Sequence, residues 1–251
     1  MQSMNHWQRL EAAILGNRTD RTPVAMWRHF PDDDLCPDKL VSHTLAWQQK
    51  WQFDLVKFMP SGTYGVEDWG AISAYRGAAN GAREVVKPAV LRTEDWLRLG
   101  QLDVRKGSYG RQNQALAATA KALRGSVPLL QTVFSPLTTA RKLGTDKLFA
   151  DLRRAPGALE HALRIITDVT IRFALDAIGA GAHGIFSRPS WHRIDCSALK
   201  STNALAAPTT SKFSLRCTAR RSSTCSTPTA TTSCSTCSRN TRPTCSTGTT
   251  V

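Results

Sequence analysis

The sequence predicts an α/β fold with a parallel sheet. Short apolar runs alternate with segments of helical spacing along residues 4–186, and a glycine-bearing loop follows one of those runs on its C-terminal side. A further observation sets the boundary: both periodicities stop at Ser187. The expected organisation is a folded part over 1–186 and a polar, disordered tail over 187–251.

Within 4–15, Trp7, Leu10, Ala13 and Ile14 recur on one helical face, and Gly16 supplies a stop. Residues 23–27 (PVAMW) are a short apolar run, a candidate buried strand. A helix over 38–51 leads into a second strand at 54–59 (DLVKFM), and the loop 60–65 (PSGTYG) follows. The stretch onward to Pro88 shows neither period and reads as irregular. Helices are expected at 94–99 and 112–123, with a third strand at 128–134 (PLLQTVF). Another helix opens at Ser135, where Pro136 occupies a first-turn position whose amide has no helical partner. A long helix over 156–178 is closed by Gly179 and Gly181, and 184–186 begins a fourth strand.

The formal net charge is +14, but residues 197–251 hold 7 Lys+Arg and no acid, so half of it belongs to the tail. The front part is mixed in sign and has no basic stripe interleaved with aromatics. Its basicity suits small anionic substrates just as well as phosphate or anionic-membrane partners, and no nucleic-acid partner is expected. No apolar run resembles a signal peptide or a membrane span, which reads as a cytosolic protein without a membrane partner. Of 7 cysteines, five fall between Cys217 and Cys245 at irregular spacing, which argues against a disulfide framework. Cys234 and Cys237 have zinc-like spacing, yet no second pair exists and no histidine follows His192, so no metal is expected. From Ser197 onward 26 of 55 residues are Ser or Thr, too polar to build a core.

Residues 21–28 (RTPVAMWR), 53–58 (FDLVKF), 127–138 (VPLLQTVFSPLT) and 181–186 (GAHGIF) resemble, in order and spacing, the early strands of the uroporphyrinogen decarboxylase family. The resemblance implies a TIM-type (β/α)8 barrel, here partial, and a cytoplasmic carboxy-lyase of porphyrin biosynthesis that needs no cofactor. The tail supports the same reading through its codons. Back-translated with free synonymous choice and reread two nucleotides on, residues 186–214 give FATQLASNRLLSAEEYQRFGRPYDLEVL. Residues 225–251 likewise give LHSHGDNIMFDLLAEYP and, further on, VLNWHDR. Both strings resemble the second half of the family, so the tail is read as an out-of-frame product starting near Phe186. The truncated chain is expected to be inactive, and a homodimer is compatible with a full-length protein.

Barrel active sites lie at the C-terminal ends of strands. Arg28 ends the first candidate strand, where the resemblance implies an arginine that binds substrate carboxylates through its planar fork. Ser61 and Tyr64, in the loop after the second strand, complete the expected substrate-binding set. Three departures accompany the match: Asp32 stands where the family has a second arginine, Ser61 where it has the aspartate beneath the pyrrole nitrogens, and Lys142 where it has a tyrosine. With that aspartate gone, no catalytic residue is assigned. Glu67 and Asp68 are alternative acids in the same loop, and His29 is an acid-base candidate near neutral pH. His183 stands at the wrong end of its strand for chemistry, and the run from Asp32 to Asp34 reads as a solvated turn.

Two other readings compete with the lyase. The cobamide-dependent methyltransferase branch of the same superfamily uses zinc held by His and Cys of the second half, where the reread string offers His-Ser-His instead of His-x-Cys. A non-enzymatic module with a basic tail is disfavoured, because Phe213 is the tail's one aromatic and stacking is nearly absent.

Overall fold

A computed structural model describes residues 3–188. The Ser/Thr-rich tail, the Cys234 and Cys237 pair and the reread segments lie outside the described residues, apart from Phe186, Ser187 and Arg188. The chain runs α1 (His6–Ile14), α2 (Pro37–Trp51), β1 (Val56–Phe58), α3 (Tyr64–Glu67), the hairpin β2 (Ile72–Tyr75) and β3 (Arg83–Lys87), then α4 (Gly107–Leu123). It continues through β4 (Leu129–Phe134), α5 (Pro136–Gly144), α6 (Lys147–Arg154), α7 (Pro156–Gly179) and β5 (Gly184–Arg188). Asp33–Leu35 and Thr93–Arg98 are 3-10 turns.

The strands β1, β4 and β5 form a parallel sheet in that order, with Val56 opposite Leu129 and Leu130 opposite Gly184. Helices fill both crossovers, the arrangement of a partial (β/α) barrel. One sheet face carries Val56, Phe58 and Leu129 into a core with Leu40 of α2, Ala115 and Leu116 of α4, and Ala177 of α7. A second cluster joins Tyr64, Tyr109 and Val133 to Val169 and Phe173 of α7. A third surrounds the fully buried Trp96 with Leu143, Leu159, Leu163 and Ile166. Gly144 is required there, since a Cβ would lie 2.6 Å from the Trp96 ring.

Three expectations need correction. Residues 23–27 are extended but form no strand. Pro23 has no amide to donate, and the N–H of Val24 bonds the Asp54 carboxylate at 2.9 Å while Val24 O accepts from the Asp54 amide at 2.8 Å. The stretch read as irregular contains the antiparallel hairpin, whose strands are too short to show a period and whose register shifts between Ile72 and Ser73. The periodicity placed at an end by Ser187 continues to Arg188, the last residue of β5. Helix α6 also went unread.

Below the sheet, at the N-terminal end of β1, the fully buried Asp54 gathers His6, Arg9, Arg21 and the Val24 amide. On the face opposite the α4 core, Lys57 holds its ammonium 3.7 Å from the Trp27 ring centroid and 4.0 Å from that of Phe186. These contacts tie the first extended segment, β1 and β5 together.

Candidate functional site

Chain leaving β1 turns through Pro60, Ser61 and Gly62 into α3, while chain leaving β4 enters α5 at Ser135, whose hydroxyl accepts the Thr138 amide. With Pro136 at the first turn, that cap fixes α5 so that Lys142 reaches back over the neighbouring loop. Its ammonium donates to Gly62 O and sits 4.3 Å from the centre of the Phe134 ring. Burial pushes the Lys142 amine down to about 8. A Cβ at Gly62 would lie 3.7 Å from His29 Cε1 and 3.9 Å from Lys142 Nζ, so histidine and lysine flank the glycine.

Behind His29 stands Asp34, fully buried, its Oδ2 3.9 Å from His29 Nδ1. Among the described residues neither that nitrogen nor either Asp34 oxygen has a hydrogen-bond partner. Burial lowers the His29 pKa, and the charges of Lys142 and Lys57 lower it further. Burial raises Asp34 to about 6, against the pull of Arg83. The strand ends thus bring one ammonium, one imidazole and one buried carboxyl together.

The three expected substrate-binding residues do not meet. The Ser61 side chain is fully buried, 3.1 Å from Thr63 Oγ1. Thr63 in turn lies 3.0 Å from Glu67 Oε1 and 2.8 Å from Ser73 Oγ. The exposed Arg28 lays its guanidinium 5.4 Å from the Phe30 ring centroid and 5.7 Å from that of Trp47. It borders a crevice of about 20 Å³, room for about one water. Tyr64 is a core side chain whose hydroxyl donates to Thr132 O at 3.0 Å, with its pKa raised by burial. It stands behind the site wall instead of lining it, because α3 begins at this residue and turns its ring toward α7.

The other candidates also find structural work. Glu67 accepts from Arg111, and Asp68 caps α4 through the amides of Ser108 and Tyr109. His183 sits at the N-terminal end of β5, accepting the Leu129 amide. Of the acidic run, Asp32 pairs with Arg83 and Asp33 with Lys39 and His43, whereas Asp34 is buried, which a solvated turn does not anticipate. Sequence reasoning noted Lys142 only as a departure. Its signal was the strand–Ser–Pro start of α5, which sets a lysine two turns later above the loop after β1.

A profile of the uroporphyrinogen decarboxylase (URO-D) family matches residues 36–194. The chain belongs to the URO-D family. Among solved structures, a methyltransferase from Methanosarcina mazei is similar with a TM-score of 0.68 and 19% identity, over 86% of this chain and 68% of that chain. At that identity the likeness shows the fold, a partial TIM-like barrel. No curated protein sequence matches.

Proposed function

We propose that the chain is the front part of a uroporphyrinogen decarboxylase-like lyase whose substrate is a carboxylated, tetrapyrrole-like small molecule. The carrying observation is the URO-D match over 36–194. The Lys142 ammonium between the ends of β1 and β4 supports it, since such a substrate presents several carboxylates. Decarboxylation breaks a carbon–carbon bond and leaves its electron pair on carbon, where a proton must replace the departing carbon dioxide. Cations that fix the carboxylate arms hold the scissile bond in place for that step. Arg28 is retained as a carboxylate contact at the rim, while Ser61 shapes the loop from within.

The methyltransferase reading is favoured by the structural neighbour from Methanosarcina mazei, itself a methyltransferase. Among the described residues no group of three or more His, Cys, Asp or Glu is placed to hold a metal ion, and the residues that reading assigns to zinc lie outside them. Nor is any described helix long and apolar enough to cross a membrane.

The two readings part in one assay. The 251-residue chain and a version with the frame restored after Phe186 are incubated anaerobically with uroporphyrinogen, and the carboxyl groups of the products are counted by chromatography. Stepwise carboxyl loss with the restored protein supports the lyase. Methyl transfer from methylcobalamin to a thiol, with the carboxyl count unchanged, overturns it.

A further inference from the structure

We propose that Lys142, with His29 beside it, forms an anion subsite over Gly62 that takes a carboxylate arm of the substrate. The inference rests on the carboxylated-substrate reading above and gives it a second contact point, distinct from Arg28.

An ammonium has three donors, and the described acceptor of Lys142 is a single backbone carbonyl, Gly62 O. Among the described residues no carboxylate pairs with it, and burial alone accounts for its lowered pKa. A half-buried cation without an acid is unfavourable by itself, and the penalty is relieved when an anion arrives and makes charge-assisted bonds. Phe134 beneath and the carbonyl beside it fix the ammonium before any ligand binds. Gly62 leaves open the space between Lys142 and His29 that a side chain would fill. On the far side of the imidazole, Asp34 faces Nδ1 at 3.9 Å and shares no hydrogen bond with it. The loop itself adds no negative charge at Ser61, where the family has an aspartate.

The test uses the unmodified 251-residue chain first, so that no variant has to fold. Acetylation of each lysine is followed by peptide mapping at pH 8, with and without 1,2,3,4-butanetetracarboxylate as probe. The tetracarboxylate is expected to slow acetylation of Lys142 by about tenfold or more while leaving the exposed Lys121 of α4 unchanged. In Lys142→Met the probe's dissociation constant rises about tenfold or more, and in Lys142→Arg it stays within about threefold. Equal slowing at Lys142 and Lys121, or equal protection by inorganic phosphate, overturns the carboxylate subsite. Uroporphyrin I separates the two proposals. If it binds while Lys142 stays unprotected by either carboxylate, the subsite falls and the substrate reading stands. If the tetracarboxylate protects Lys142 and uroporphyrin I does not bind, the subsite stands and the tetrapyrrole reading falls.

Discussion

At Asp54 one carboxylate serves four donors: Arg9 and Arg21 at 2.6 Å, the Val24 amide at 2.9 Å and His6 Nδ1 at 3.0 Å. Burial works against the charge, yet the bonds from His6, Val24, Arg21 and Arg9 hold the carboxyl down to about 2. A folded pKa below the unfolded value of about 3.9 gives stability that is present above about pH 4 and lost as pH falls through about 2. Replacing Asp54→Asn is therefore expected to cost about 3 kcal/mol or more near pH 7. Urea titrations should show that gap closing between pH 4 and pH 2. Asp34 has the opposite sign. Its folded pKa of about 6 lies above the unfolded one, so its contribution is present below about pH 3.9 and lost as pH rises through about 6. Asp34→Asn should melt higher than the wild type at pH 7.5 and level with it near pH 4; a lower melting temperature at both would remove the buried-acid argument. Neither role was legible in the sequence. Three consecutive aspartates look alike on paper, and only the 3-10 turn at Asp33–Leu35 decides that the third points inward.

Helix α4 shows why an element can be found and its start missed. Residues 112–123 carry the apolar spacing, but the first turn from Gly107 is set by Asp68, which stands 40 positions before Ser108 and accepts the Ser108 amide at 2.7 Å. Gly107 has φ +58, and a Cβ there would lie 2.3 Å from Asp68 Oδ1. Asp68→Ala should destabilise by about 1–2 kcal/mol, and Gly107→Ala by about 2 kcal/mol or more through strain and clash together. Chemical denaturation of both variants and of the double variant checks the assignment. The double change should cost less than the sum, because removing Asp68 also removes the clash. The strands at 54–59, 128–134 and 184–186 were legible because each is an apolar run between turn residues, the habit of a parallel strand covered on both faces. The hairpin was not, since four of its nine strand residues are exposed and none is buried.

At the scale of the molecule, the order of strands and helices carried the family, whereas the contacts at the strand ends were not legible. Distances decide what each side chain does there: Ser61 is spent inside its loop, while Lys142 reaches a neighbouring one. The reread tail makes its own prediction. Resequencing the gene around the Phe186 codon should reveal a frame displaced by two nucleotides that encodes the two strings given above; an open frame with codons incompatible with them would sink the idea. Phe186 heads the first of those strings and also completes the pair of tilted rings against Lys57, its centroid 5.9 Å from that of Trp27. An indole beside a fixed positive charge emits at a wavelength that the charge shifts, together with the water reaching the exposed part of Trp27. Trp27 is thus a built-in optical gauge of whether the first segment, β1 and β5 have come together. Because the pair is complete at Phe186, the gauge reads the same assembly with either frame downstream.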